Sequence, residues 1–406
     1  MIKDILERAN TRRVSLPTSE MERRWSGLRE RMAEQDIDYL IVQSQQRAVG
    51  GYFRYFTDMA GANYHITAVF PQKGDMAILT HGPAAPANPV APPPWENRGV
   101  QEAINMPAFP NVWWEESWDA DNAVKFMKQN NPKKIGLVGL GNMSAALYEN
   151  LKKNLPNVEF VNASELVDEL RIVKSEEELK LLHAAALMHE NDWKLAKQII
   201  KSGATVSEVF ETIRHAQVLQ GSEEQQIGIW LGKPGGTVYH QMNWGNTCIR
   251  APFSKGTVIK LLIESSAPGG YWYDLIRYLC IGEMQEGLPE AMEIAKEARE
   301  IMAKNLKPGQ TAGEAIDASN TFLNSKGCPS ETRLAGHGQG LDLVERPVML
   351  HEEPAKMQEG MIVCLHPTAK TKHASASLSD TYVIDESGAV PIYQSLFDDN
   401  EIVVTD

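Results

Sequence analysis

Hydrophobic positions in the first part of the chain follow two periods in turn, the 3.6-residue period of helices and the run or alternation of strands. Residues 16–35 open on Leu16-Pro17-Thr18 and continue into Met21-Glu22-Arg23-Arg24, which predicts an amphipathic helix ending near Gln35-Asp36. Tyr39-Leu40-Ile41-Val42 follows as a buried strand. Ile66-Thr67-Ala68-Val69-Phe70 and Met76-Ala77-Ile78-Leu79 flank a Gly74-Asp75 turn and predict a hairpin. Residues 83–95 hold six prolines and read as a surface loop. Lys134-Ile135-Gly136-Leu137-Val138 predicts a further strand, with a helix from about Ser144 to Lys153. Gly136, Gly139 and Gly141 lack the spacing and the following acid of a dinucleotide fingerprint, so no nucleotide role is expected. The pattern is that of an alternating α/β domain over residues 1–165.

From residue 166 the pattern changes. Residues 164–187 read as one long, highly charged helix joining two domains. Helices are then predicted over 206–219, 289–306 and 311–326, a strand over 258–263, and short strands over the last eighty residues. That makes an α+β domain over 166–406, in which helices flank a curved, mainly antiparallel sheet.

Composition narrows the function. With 53 acidic against 40 basic residues, the net charge of −13 argues against nucleic acid or an anionic membrane as the main partner. Four cysteines (Cys248, Cys280, Cys328 and Cys364) with no CxxC pair read as reduced thiols in a cytoplasmic protein. Neither a signal peptide nor a membrane-length apolar run is read.

Five residues in the second half gather chemistry. Glu264 closes the apolar strand, and Asp274 lies in Gly270-Tyr271-Trp272-Tyr273-Asp274-Leu275-Ile276-Arg277. His337 sits in Gly336-His337-Gly338-Gln339-Gly340, His366 in Gly360-Met361-Ile362-Val363-Cys364-Leu365-His366-Pro367, and Asp380 in Leu378-Ser379-Asp380-Thr381. An inward acid on an apolar strand needs a partner, because an unpaired buried carboxylate costs several kcal/mol or shifts its pKa. Gly336 and Gly338 let backbone approach closely beside the imidazole. Carboxylates with imidazoles suit manganese, iron, cobalt or zinc, and equally suit general acid/base chemistry.

The order acid–GYxxDxxR–GHGxGLxxxExP–GMxxxxxP–acid resembles the pita-bread family. Methionine aminopeptidase, aminopeptidase P, prolidase, creatinase, ectoine hydrolase and an iron-dependent dimethylsulfoniopropionate lyase belong to it. Leu170-Arg171-Ile172-Val173-Lys174-Ser175 resembles its interdomain junction. The resemblance implies metal ligands at Glu264, Asp274, His337, His366 and Asp380, where the family carries Asp, Asp, His, Glu and Glu. A histidine cannot bridge two metals as a carboxylate can, so a mononuclear centre is expected over a dinuclear one, with a metal-free site, as in creatinase, as the other possibility. His240 falls where the family has a proton-shuttling histidine, and Val344 where it has a further one. Arg54, in Gly50-Gly51-Tyr52-Phe53-Arg54-Tyr55, resembles the creatinase arginine offered to the neighbouring subunit's site, which implies a homodimer; the other reading is a hairpin strand with an exposed arginine. Arg346 and Tyr271 are the remaining candidate substrate contacts. The implied activity is C–N hydrolysis of a small carboxylate-bearing substrate in which Glu264, His337 and His366 polarise the substrate and His240 moves the proton. A lyase, an Xaa-Pro peptidase and a non-catalytic binding protein are the alternatives.

Overall fold

The computed structural model describes residues 14–44, 50–60, 64–81, 98–106, 117–232, 252–398 and 402–406, and the backbone of 241–243. The proline-rich stretch 83–95, His240 and Cys248 lie outside the described residues. Two compact units divide between Arg171 and Ile172.

In the first unit, helix α1 (Thr18–Glu34) buries Met21, Trp25, Leu28 and Met32, the i, i+4, i+7, i+11 stripe of the sequence pattern. Strands β1 (Tyr39–Ser44), β2 (Ile66–Pro71), β3 (Met76–His81), β4 (Val100–Met106), β5 (Lys134–Val138) and β6 (Glu159–Asn162) form one mixed sheet in the order β4-β3-β2-β1-β5-β6. The predicted hairpin is β2–β3, antiparallel around Gly74, whose φ of +93° is left-handed territory that glycine enters without strain. Helix α2 (Gly51–Thr57) carries Arg54 buried, so this segment is neither a hairpin strand nor the seat of an exposed arginine. Helices α3 (Trp118–Met127) and α4 (Ala145–Asn154) pack on a core that includes Ile41, Val69, Leu79, Leu137 and Leu151. Gly136 is a packing glycine: a Cβ there would meet the Leu40 and Ala163 side chains at 2.6 and 2.7 Å. Helix α5 (Ser164–Arg171) closes the unit.

The single helix expected over 164–187 is two helices. α5 stops at Arg171, and α6 (Glu176–Ile199) starts afresh in the second unit. Ser175 caps it: its hydroxyl accepts from the Glu178 N–H, and the Glu178 carboxylate accepts from the Ser175 N–H. This reciprocal capping box marks a helix start that a charge-rich periodic run conceals.

The second unit continues with α7 (Val206–Leu219) and strands β7 (Glu224–Gly232), β8 (Gln241–Asn243), β9 (Val258–Ser266) and β10 (Trp272–Ile281). Helices α8 (Leu288–Lys304) and α9 (Ala312–Ser325) follow, the latter capped by a Thr311–Glu314 box. The remaining strands are β11 (Gly336–Gly338), β12 (Glu345–Val348), β13 (Ile362–Leu365), β14 (Thr368–Lys370), β15 (Ser375–Ser377), β16 (Asp380–Asp385), β17 (Gly388–Pro391) and β18 (Ile402–Thr405). Two five-stranded sheets result, in the orders β18-β10-β9-β7-β8 and β12-β11-β13-β16-β17, beside the small pair β14–β15. Among the described residues, an isolated antiparallel bridge between Ile276 and Ser379 links β10 to the segment leading into β16. The near-continuous apolar reading of β9 and β10 follows from burial on both faces, with α8 and α9 covering part of it through Leu288, Ala295, Ala298 and Leu323.

Candidate active site

The register of the sheets assembles the site. β9 and β10 are antiparallel with Glu264 directly opposite Asp274, so both side chains leave the same face. β11 and β13 pair His337 with Cys364, and His366 follows two residues beyond Cys364. The Ile276–Ser379 bridge brings the two strand systems together at this point. One ligand-capable atom from each of Asp274, His337, Cys364 and His366 lies within 4.8 Å of the others.

The glycines beside His337 are steric requirements. A Cβ on Gly336 would stand 2.4 Å from the Cys364 carbonyl oxygen, and one on Gly338 would stand 2.4 Å from the Arg346 carbonyl oxygen. β11 is thus clamped between β12 and β13 by backbone contacts that only glycine permits.

Hydrogen bonds fix the donors. His337 Nδ1 is 3.0 Å from the Gly338 carbonyl; as the donor there, it leaves the Nε2 lone pair free. That Nε2 is 4.0 Å from Asp274 Oδ2, too long for a hydrogen bond. The Cys364 thiol contacts Asp274 Oδ2 at 3.5 Å and Ser379 Oγ at 2.9 Å. Among the described residues, Asp274 Oδ1 has no hydrogen-bond partner although it is buried. Glu264 accepts from Gln226 Nε2 at 3.0 Å.

Burial dominates the electrostatics. It pushes both imidazoles down, His366 further because His337 and Arg333 add to it, so both rings are neutral at pH 7. Burial followed by mutual repulsion raises Glu264, and burial raises Asp274, so the facing pair retains a proton around neutrality. Burial and the Asp274 charge hold the Cys364 thiol up.

The donor set tests whether a metal fits. Two neutral imidazoles, a buried carboxylate with an unsatisfied oxygen and a thiol, all within 4.8 Å, suit one divalent cation. The set contains a single carboxylate, so a second ion would find too few further anionic donors among these four residues.

Several residues expected at the site stand elsewhere. Asp380 is fully buried, but both of its oxygens are taken by arginines: Arg277 Nη2 at 2.7 Å and Nη1 at 3.2 Å, together with Arg299 Nη1. It is a counter-ion, and the residue that touches the cluster is its neighbour Ser379, because side chains alternate along a strand. Tyr271 is fully buried with its hydroxyl on Glu178 at 2.9 Å, so it offers substrate no surface. The Arg346 fork grips Glu353, with Nη2 at 2.5 Å, and is not an open clamp. Arg54 belongs to the first unit and is described only within it. Cys364 is the residue that sequence reading missed; its signal was the two-residue step to His366, which puts both on one strand face.

Comparison with known proteins agrees with this architecture. Residues 180–386 match the model of metallopeptidase family M24, and residues 24–173 match the creatinase/prolidase N-terminal domain. An Xaa-Pro dipeptidase of Pyrococcus horikoshii is 22% identical over 80% of this chain and 88% of its own. An uncharacterized hydrolase/peptidase of Sinorhizobium fredii is 23% identical over 96% and 98%. Among solved structures, an Xaa-Pro dipeptidase from Bacillus anthracis superposes with a TM-score of 0.75 at 20% identity, covering 95% of this chain and 99% of that one. An X-Pro aminopeptidase from Thermotoga maritima gives 0.77 at 17% identity, covering 94% and 99%. With its pita-bread second unit carrying the cluster and a creatinase/prolidase-type domain ahead of it, the chain belongs to metallopeptidase family M24.

Proposed function

We propose that the protein hydrolyses the C–N bond of a short peptide, with Xaa-Pro dipeptides as the first substrates to test, at a centre built for one divalent cation. The observation that carries this reading is the cluster of Asp274, His337, Cys364 and His366. The named relatives that act on Xaa-Pro dipeptides favour a peptide over the guanidino or ectoine-type substrate expected from the sequence. They lend the lyase alternative no support.

Asp274, His337, Cys364 and His366 would hold a divalent cation, which would supply Lewis acidity toward a carbonyl and toward a water molecule. The chain's own residues do the rest. His337 is held in one orientation by its bond to the Gly338 carbonyl, and Asp274 by Cys364 and Ser379. Glu264, which faces Asp274 across the β9–β10 register and accepts from Gln226, is the group proposed to give a proton to the leaving nitrogen. His240 is a second candidate for that transfer, and the homodimer implied by Arg54 belongs to the same proposal.

A second reading rests on His366, which stands where the resemblance implies a carboxylate, and on Asp380, whose carboxylate is taken by Arg277 and Arg299; both depart from the donor set that the resemblance implies for peptidases. It keeps C–N hydrolysis and replaces the peptide with a small guanidino acid or cyclic amidine.

The test is hydrolysis of glycyl-proline and related dipeptides by the full chain loaded with manganese, cobalt or zinc, with product identified by mass. Release of free proline is the expected result. No cleavage of any dipeptide, with cleavage of a guanidino acid or cyclic amidine, would overturn the peptide reading in favour of the second.

A further inference from the structure

Lys260 is a cation in an unusual place. It lies on β9 four residues before Glu264 and on the same face by alternation. Its partner across β7 is Trp230, as Gln226 is the partner of Glu264. The ammonium sits 5.2 Å over the Trp230 ring and donates to Ser377 Oγ at 2.7 Å. Ser377 is two residues from Ser379, which touches Cys364. Among the described residues, Lys260 has no ion-pair carboxylate, and neither has the Arg333 guanidinium, exposed on the segment that leads into β11. Arg333 is near enough to bear on both Lys260 and His366.

The charges of Asp274 and Glu264 bear on this ammonium, but among the described residues neither stands within ion-pairing distance of it, and a partly buried ammonium without a close carboxylate gains from an anion that pairs with it. Lys260 shares a face of β9 with Glu264, which faces Asp274 of the cluster, and Arg346, the cation expected to take a substrate carboxylate, is spent on Glu353. We propose that Lys260, seated on Ser377 and over the Trp230 ring with Arg333 near it, is the subsite for the free carboxylate of the substrate. This rests on the hydrolytic reading above and sharpens it: a carboxylate anchored next to the cluster leaves no room for a longer peptide on that side, so the substrate class is a dipeptide or an equally short acid. Lys260 acts as a specificity residue and takes no part in proton transfer.

Two measurements on the full chain test this. The first is the ratio of kcat/KM for glycyl-proline to that for glycyl-prolinamide, in the metal-loaded enzyme and its variants. The second is calorimetric titration with L-proline and L-prolinamide, which needs no turnover. The acid is expected to be preferred in both. Lys260→Met is expected to cut the preference by about ten-fold or more, the worth of one charged hydrogen bond, while Lys260→Arg retains most of it. Arg333→Gln, at an exposed position that tolerates change, is expected to cut it by about three-fold, on the scale of an exposed charge contact. If glycyl-proline is cleaved but Lys260→Met and Arg333→Gln leave the preference intact, the subsite is overturned and the hydrolytic reading stands. If no dipeptide is cleaved but proline binding weakens in the variants, the subsite stands and the hydrolytic reading falls. Equal binding of proline and prolinamide to the unaltered protein overturns the subsite in either case.

Discussion

Ser379 and Asp380 are neighbours that face opposite ways, and the difference decides the ligand set. Asp380 neutralises Arg277 and Arg299 in the interior, whereas Ser379 meets Cys364. Residue types were legible in the sequence, and which of two adjacent residues at the start of β16 faces the cluster was not. His337, Asp274 and His366 were singled out in the sequence by their ordered motifs, and the structure brings their ligand-capable atoms together with that of Cys364. Cys364 was hidden among three other thiols. Removing the Asp380 charge strands two buried guanidinium groups. Asp380→Asn is therefore expected to destabilise the fold by about 3–5 kcal/mol, measured as a shift in the urea midpoint. A variant of unchanged stability that had lost bound metal would make Asp380 a ligand after all.

At the level of elements, β11 holds His337 only because it can lie against both neighbours. Gly338→Ala puts a methyl group 2.4 Å from the Arg346 carbonyl oxygen, a contact no side-chain rotation relieves. The expected cost is about 1–3 kcal/mol or more, with metal affinity falling alongside; a calorimetric melt at full stability would contradict the clamp. The helix pair α6–α7 carries a different liability. Asp192 is buried on α6, accepts from Gln217 Nε2 at 2.7 Å, and is pushed up to about 7, chiefly by burial. Because the folded state binds this proton more tightly than the unfolded state, the stability it contributes is present below about pH 4 and is lost as pH rises to about 7. The loss is on the order of 4 kcal/mol across that window, at about 1.4 kcal/mol per unit. Asp192→Asn keeps the hydrogen-bonding shape without the charge. Its stability relative to the unaltered protein is expected to rise between pH 5 and pH 8, read from urea midpoints; a difference independent of pH would contradict the assignment. α7 was visible in the sequence at its observed bounds, whereas α6 runs to Ile199, well past the expected end at residue 187. The break between α5 and α6 was not visible, because the charged run continues through Ser175 and only the capping box divides it.

For the molecule as a whole, the two-part architecture and the family were readable from ordered motifs spread over most of the chain. The use made of each cation was not, since pairing depends on contacts across long sequence distances, as between Arg277 and Asp380 or Lys260 and Ser377. A pita-bread unit whose donor cluster is Asp274, His337, Cys364 and His366 is built for one ion. Metal content of the full chain, loaded with excess manganese, cobalt or zinc and then freed of loosely held ions, tests this directly. One equivalent per chain is the result expected from Asp274, His337, Cys364 and His366. Two equivalents, or none retained, would contradict it.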